Sequence, residues 1–434
     1  MERGLISVDR WSDGSQAYFL THLHSDHTRG LTSSWSKGPL FCSRITAKLF
    51  PLRFPGFDLS LLRVIDVESW HSFSLISPSS GSNTVLHVMA IDAHHCPGSV
   101  MFLFRGDFGC LLYTGDFRWE GTSKRAERAR ATLLNALQDN AVDVLYLDNT
   151  YCNPSYEFPS REVAAQLVAD IIAAHPEHDI IIGIHDLGKE ELLVHIARAL
   201  NIKIWVWPER LQTMHLLGLN DVFTTKTDLT RVRAVPRYSF SINTLEGLNS
   251  ICPTIGIMPS GLPWTVKPIE CDDKHFGSPL THQNSKSGEI QMGNLNGNLG
   301  LVKKFHKYIF SVPYSDHSCF AEIQSFIGLV QPNNMKGIVS SSSCYVDPIY
   351  YFGCLCKASQ PAKKLHCKHE NKKGGSQALA VRRKLYIESG KLTKLETQRR
   401  KDRKADYFGV RLKRFHSLRR IQRGAKIADI DFSD

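Results

Sequence analysis

The sequence predicts an α/β protein of more than one domain, followed by a basic C-terminal extension. Three observations lead there. Short apolar runs of β-type residues alternate with turns and helix patterns over positions 4–150, and helices alternate with apolar strand runs over 151–300. Charge is concentrated at one end: residues 351–434 hold 23 Lys/Arg and 8 Asp/Glu, a net of +15, so residues 1–350 hold 30 and 34, a net of −4. A chain of 434 residues with 42% hydrophobic content can bury a sizeable core and exceeds one ordinary domain.

The first informative element is Ala17-Tyr-Phe-Leu-Thr21, an apolar run that reads as a buried strand. It leads into His22-Leu-His-Ser-Asp-His27, three imidazoles and a carboxylate within six residues. Neutral imidazole with carboxylate is the ligand set of a catalytic zinc site, not of a Cys-based structural one. His22 and His24 are two apart, so on an extended segment they point the same way. Asp26 and His27 fall where the chain turns and are placed for a second metal. The alternative is a His-rich surface loop.

Later elements repeat the pattern. Val85-Leu-His-Val-Met-Ala-Ile-Asp92 reads as a strand running into the turn-rich His94-His95-Cys96-Pro97-Gly98-Ser99. Val100-Met-Phe-Leu-Phe104 is a further strand, followed by Cys110-Leu-Leu-Tyr-Thr-Gly115-Asp116. Gly98 and Gly115 permit tight backbone geometry. Asp148 follows Val142-Asp-Val-Leu-Tyr-Leu147, and His317 lies in Val312-Pro-Tyr-Ser-Asp-His317-Ser. Singly, His95 reads equally well as a core histidine and Asp116 as a turn former; with the first cluster, a shared metal centre is the better account. Ser160 is placed to cap a helix through Ala174, Asp179-Ile-Ile-Ile-Gly-Ile184 is a buried strand, and Lys189 to Leu200 is a second amphipathic helix. A polar run from about 271 to 300, rich in Gly, Asn and Ser, reads as a mobile insertion.

His22-x-His-x-Asp-His27, His95-Cys-Pro-Gly-Ser99 and Tyr113-Thr-Gly-Asp-Phe-Arg118 resemble the motifs of the metallo-β-lactamase superfamily, in the version of its β-CASP nucleic-acid-processing branch. Val312-Pro-Tyr-Ser-Asp-His-Ser318, Leu187-Gly-Lys-Glu-Glu-Leu-Leu193 and Leu216-Leu-Gly-Leu-Asn-Asp-Val-Phe223 are similar to the DNA-directed Apollo/Artemis group. The resemblance spans residues 4 to 350. It implies an αββα sandwich formed by 1–150 and 301–350, an inserted β-CASP α/β domain at 151–300, and a basic, disordered tail at 351–434. It assigns His22, His24, His95 and Asp116 to a first metal site. Asp26, His27 and His317 go to a second, with Asp116 bridging and one or two zinc ions held. Asp9 would brace the ligand loop without binding metal, unless it is an ordinary loop residue. Asp148 would orient the active-site His and Asp groups. Lys189 is either a DNA phosphate contact or a helix-surface lysine. Val339, where RNA-processing relatives usually carry His, favours DNA. The chain departs from the group at Asn149, where Thr is usual, and at His94, which stands beside His95 as a possible competing ligand.

The activity so implied is zinc-dependent 5′-to-3′ exonucleolytic hydrolysis of DNA bearing 5′-phosphate ends, in repair or telomere-end processing. Asp26, His27, Asp148 and His317 are the catalytic candidates. Two other readings are an Artemis-like structure-specific endonuclease in end joining and a repair scaffold with secondary catalysis. The basic runs Arg382-Arg-Lys384, Arg399-Arg-Lys-Asp-Arg-Lys404 and Arg411-Leu-Lys-Arg414 can neutralise DNA phosphates, bind repair or telomere proteins, or act as nuclear import signals. A solvated tail without a partner is the alternative. No apolar run approaches the roughly 20 residues of a membrane span, so no membrane role is expected. The N-terminal residues lack a secretory pattern and the eleven cysteines are odd in number and scattered, which together predict reduced thiols in an intracellular protein; the resemblance and the basic runs imply the nucleus. Cys354, Cys356 and Cys367 with His366 and His369 are loose candidates for a structural zinc site.

Overall fold

The computed structural model describes residues 4–121, 123–138, 140–261, 303–340, 346–357 and 424–427. Its strands form three sheets. In the first, Gly4–Val8, Ser15–Phe19, Leu40–Ser43 and Leu62–Ile65 run parallel, and Ala425–Ile427 pairs antiparallel along the outer side of Gly4–Val8. The second has the order Asn334–Gly337, Val144–Leu147, Gly109–Tyr113, Val100–Gly106, Asn83–Asp92, Trp70–Ile76. Its last four strands form an antiparallel meander and the first two add in parallel.

Side-chain alternation explains how these sheets stack. On Val100–Gly106, Phe102 and Phe104 face the first sheet, where Phe19 lies 5.4 and 4.9 Å from their ring centres. Leu5, Ile6, Val8, Ala17, Val88, Ala90 and Tyr113 complete that inner layer. The intervening residues Met101, Leu103, Met89 and Ile91 turn the other way, onto the helices Lys124–Leu137 and Phe320–Val330. On the far side of the first sheet Tyr18, Leu20, Leu40 and Cys42 pack against the helix Arg44–Arg53 and the indoles of Trp11 and Trp35. The layers therefore read helix, sheet, sheet, helix. Both faces of the central strands are buried, which is why they appear in the sequence as continuous apolar runs.

The third sheet has seven strands, in the order Phe223–Thr224, Ile204–Trp205, Val232–Pro236, Asp179–Ile184, Thr254–Pro259, Ile309–Val312, Lys303–His306. All are parallel except the last. It packs with the helices Arg161–Ala173, Glu190–Leu200 and Pro208–Leu216 around a separate apolar core. Ser160 caps the first of these, its hydroxyl accepting from Val163 N.

The structure draws two borders differently from the sequence. Residues 303–312 belong to the third sheet, because Ile309–Val312 lies parallel beside Thr254–Pro259. The chain thus returns to the sandwich after Val312 and not near 301. The region from 351 is also not wholly separate. Phe352 and Cys356 are buried in the sandwich core, and Ala425 and Ile427 are buried between its sheets. Cys356 is thereby occupied in packing and Cys354 is exposed; His366, Cys367 and His369 lie outside the described residues, as do the polar run 271–300 and the basic runs.

Candidate metal centre

Four strands of the two sandwich sheets release their chains towards one place. Ser15–Phe19 continues into His22, Asn83–Asp92 into His95, Gly109–Tyr113 into Asp116, and Val144–Leu147 into Asp148. A fifth segment, leaving the third sheet after Val312, brings His317. Two backbone features allow the approach. Val100 N donates to Thr21 O across the sheets at 3.2 Å. Gly115 adopts φ +53, and a Cβ there would stand 2.9 Å from Thr21 Cβ, so no larger residue fits without displacing the ligand loop.

Asp116 is the centre of the arrangement. One oxygen, Oδ2, lies 3.7 Å from His22 Nε2, 3.6 Å from His95 Nε2 and 3.9 Å from His317 Nδ1. The other, Oδ1, lies 3.1 Å from His27 Nε2. His24 Nδ1 is 3.0 Å from both His22 Nε2 and His95 Nε2. Three overlapping sets of ligand atoms result among the described residues: His22, His24, His95 with Cys96; His22, His27, Asp116; and His95, Asp116, His317. Asp26 is in none of them. It is half-buried in the turn, where its charge acts on His24.

Each imidazole has one nitrogen engaged outside the cluster, and that engagement fixes the other. Thr21 Oγ1 donates to Asp9 Oδ2 (2.7 Å) and so accepts from His22 Nδ1 (3.0 Å). His24 donates through Nε2 to Leu187 O (3.0 Å), and His95 through Nδ1 to Asp316 O (2.8 Å). His27 Nδ1 donates to Asp9 Oδ2 (2.6 Å), and His317 Nδ1 to Asp148 Oδ2 (2.8 Å). A carbonyl or carboxylate oxygen only accepts, so the ring proton sits on the engaged nitrogen. The lone pairs of His22 Nε2, His24 Nδ1 and His95 Nε2 are left to the interior of the cluster. Lone pairs at 3.0 Å repel one another unless a cation stands between them. His27 Nε2 also faces the cluster, buried and 3.1 Å from Asp116 Oδ1. The donor set fits a divalent metal of imidazole and carboxylate preference.

The electrostatics agree. Burial, reinforced by neighbouring imidazoles, holds His22 and His95 well below the ordinary histidine range, and burial lowers His24 against the pull of Asp26. Neutral imidazole is the ligating form. His27 departs upward. Burial opposes its charge, but Asp116 and Asp9 on either side outweigh burial and raise it well above the ordinary value. A metal taking His27 Nε2 would displace that proton. Burial pushes the Cys96 thiol well up, so it stays a thiol beside the cluster.

The remaining candidates sit as follows. Asp148 Oδ1 accepts from Thr150 N (3.1 Å) and Thr150 Oγ1 (2.5 Å), while Oδ2 accepts from His317 Nδ1 and, at 3.4 Å, from Phe117 N. Lys189 is not open to solvent: its Nζ is 2.8 Å from Asp316 Oδ2 and its side chain is 11% exposed. His94 is buried and outside the three ligand sets; burial, then Arg161, Arg125 and Arg118, push it down to about 2. Val339 exchanges backbone hydrogen bonds with the Asn149 side chain (2.8 and 3.2 Å), which gives the departure at Asn149 a structural use. Sequence reasoning passed over Arg118. Buried at 1% exposure, it donates to Ser315 O, Pro159 O and Glu322, and so holds the segment that carries His317. A lone Arg after the Asp116 motif was the only signal.

Residues 218–343 match a family model described as DNA repair metallo-beta-lactamase. The chain is 38% identical over 344 residues to the 5′ exonuclease Apollo of Gallus gallus, covering 78% of this chain and 63% of that one. It is 35% identical over 345 residues to the 5′ exonuclease Apollo of Danio rerio, covering 78% and 52%. It is 29% identical over 341 residues to the DNA cross-link repair protein SNM1 of Arabidopsis thaliana, covering 76% and 62%. The chain thus spans between half and two thirds of these relatives' lengths.

Proposed function

This chain belongs to the DNA repair metallo-β-lactamase family, and from that premise we propose that it is a zinc-dependent 5′-to-3′ DNA exonuclease acting on 5′-phosphorylated ends. The observation that carries the reading is the Asp116 carboxylate, whose two oxygens face different imidazoles while every imidazole has its outer N–H engaged. A carboxylate so placed would bridge two adjoining ions. His22, His24 and His95 would hold one ion with Asp116 Oδ2; His27 and Asp116 Oδ1 would hold the second, with Asp26 at its edge, and His317, grouped with His95 and Asp116, would complete the centre from the Oδ2 side. Bound zinc supplies Lewis acidity and lowers the pKa of a ligand water to about 7.

The chain's own residues do the rest. Asp9 holds His27 through Nδ1 and so turns its Nε2 towards Asp116, and Asp148 holds the His317 ring through Nδ1. Asp26, at the more open edge of the turn, is the carboxylate placed to take a proton from an attacking water. His317, with a side chain 17% exposed, is open to a phosphodiester entering the cleft. The relatives' names, 5′ exonuclease and DNA cross-link repair protein, support DNA as the substrate and cross-link repair as a setting; telomere-end processing and the nucleus are part of the proposal. The basic runs beyond residue 360 are proposed as the contact with DNA or with repair proteins.

The test is one digestion series with zinc-loaded full-length protein. Duplexes with a 5′-phosphate should be shortened from that end, a 5′-hydroxyl or blocked 5′ end should slow the reaction strongly, and a blocked 3′ end should not. Asp116→Asn should lower the rate by about 10²- to 10³-fold without loss of fold. Equal digestion of all ends, with cutting of an end-blocked hairpin, would establish the endonuclease reading instead. Wild-type rates in a folded Asp116→Asn variant would remove the metal centre from the reaction.

A further inference from the structure

Two of the three imidazoles in the first ligand set take their orientation from outside the sandwich strands that carry them. His24 donates to Leu187 O, and His95 donates to Asp316 O. Leu187 follows a strand of the third sheet and Asp316 follows another, so both carbonyls are presented by the inserted domain's own segments. A sandwich ligand loop alone cannot fix either ring.

The two presenting segments are joined to each other. Lys189 Nζ donates to Asp316 Oδ2 at 2.8 Å, with side chains only 11% and 13% exposed. The loop around Lys189 is held in turn by Arg210, 1% exposed on the helix Pro208–Leu216. Its guanidinium donates to Asp186 O, to Gly188 O (2.8 Å) and to Glu190 Oε1 (2.6 Å). Glu190 Oε1 also accepts from Gly188 N (3.0 Å). The backbone there is unusual: Gly188 has φ +103 and Lys189 has φ +66, a left-handed conformation that a lysine adopts only at some cost. Lys189 also lies 5.0 Å over the ring of Tyr314, two residues before Asp316. Loop 186–190 and segment 314–317 thus form one braced unit that ends in the two carbonyls.

We propose that Lys189 is a positioning residue for the metal centre, locking Leu187 O and Asp316 O in place so that His24 and His95 present their ligand nitrogens together. It is not a DNA phosphate contact: its ammonium is buried and paired with a carboxylate. The inserted domain then has a second task besides forming a wall of the cleft. It supplies outer support to two ligands of the sandwich, so that ion retention depends on the two domains being docked. The proposal rests on the metal-centre reading above, and the experiment keeps the two apart.

The experiment measures zinc retention by chelator competition on Lys189→Met, Asp316→Asn and the double variant, beside wild type. Ring tautomers of His24 and His95 are read from ¹⁵N-labelled zinc-loaded protein. DNA affinity is measured in the presence of EDTA on the same proteins. Each single variant should bind zinc about ten- to a hundredfold more weakly, the usual effect of losing outer support to a ligand. The double variant should be no worse than the weaker single one, because both remove the same link. The His24 and His95 ring signals should broaden or shift while those of His27 stay. DNA affinity in EDTA should be unchanged. If Lys189→Met lowers DNA affinity in EDTA and leaves zinc affinity untouched, Lys189 is a phosphate contact and the proposal is overturned. Additive losses in the double variant would overturn it too, since they would mean the two side chains act separately. If wild type itself retains no stoichiometric zinc, the metal-centre reading fails first, a result visible before any variant is made.

Discussion

Asp9 shows how much one carboxylate sets in this site. It sits just past a strand in a left-handed turn (φ +49), and it is 7% exposed. Oδ1 accepts from Thr21 N at 2.9 Å; Oδ2 accepts from Thr21 Oγ1 and from His27 Nδ1. Asp9→Ala leaves three buried donors without an acceptor. We expect a loss of about 3 kcal/mol in stability by urea unfolding, since one unsatisfied buried group costs about 1–3 kcal/mol. Zinc affinity should fall by about ten- to a hundredfold by chelator competition. Asp9→Asn separates the two effects. Its single amide oxygen cannot accept from His27 Nδ1 and from Thr21 N–H at once, so keeping the backbone bond turns an amide N–H towards the ring. That drives the His27 proton to Nε2, against Asp116, so metal affinity should fall nearly as far while stability falls less. An Asp9→Asn protein with wild-type zinc affinity would show that Asp9 serves only the backbone. At this scale the sequence was legible wherever chemistry is carried by a side chain after an apolar run: His22, His24, His27, His95, Asp116, Asp148 and His317 all announce themselves that way. It was not legible where the partner is a backbone carbonyl. Leu187 O and Asp316 O carry no residue-type signal, and the burial of Lys189 depends on a pairing 127 residues away.

Among the elements, the strand Ala425–Ile427 is the one with most leverage for its size. Three residues make a weak strand, yet these pair Ile427 with Ile6, Lys426 with Ser7 and Ala425 with Val8. They cover what would be an open sheet edge. Ile427 is 1% exposed among the side chains between the two sheets. Just before it, a Cβ on Gly424 would lie 2.4 Å from Asp9 O, a backbone atom that cannot swing aside. Two substitutions therefore part packing from siting. Ile427→Ala should cost about 2–5 kcal/mol of stability and leave zinc affinity near wild type. Gly424→Ala should move Asp9 and lower zinc affinity as well. Urea unfolding and chelator competition on both proteins decide it; equal zinc loss in both would mean the strand acts only through global stability. The helices and the longer strands were legible because their periodicity is local: Ser160 and the run after it set the helix Arg161–Ala173. Ala425-Lys-Ile427 was not, since three residues beside a Lys/Arg-rich stretch show neither period. The late return to the sandwich was hidden for a related reason: Ile309-Phe-Ser-Val312 reads equally as a strand of either sheet, and only its partner Thr254–Pro259 decides.

For the whole molecule the question is where the affinity for DNA resides. Residues 361–418 hold 18 Lys/Arg and 5 Asp/Glu, a net of +13, which leaves the rest of the chain at −2. The chain on both sides of this segment is anchored in the sandwich, through Phe352 and Cys356 before it and Ala425–Ile427 after it. Ending the chain at 357 would thus remove charge and a sheet edge together, and its result would be ambiguous. Replacing 361–418 by a neutral flexible linker removes the charge and leaves every described strand in place. In that protein log affinity for duplex DNA should fall less steeply with log salt, by about 0.9 for each phosphate that the basic segment neutralises in the wild type. Thermal stability and zinc content should stay at wild type, because every ligand, brace and strand described above lies outside the replaced stretch. Ending the chain at 357 should give the same salt slope but a lower melting temperature, the difference being the contribution of the strand. If the linker protein keeps the full slope, the near-neutral remainder must gather its cations into a focused path along the cleft. Arg and Lys side chains outside the ion pairs of the sandwich would then be the ones to substitute next, and the basic segment would be left with a partner or an import receptor to explain its charge.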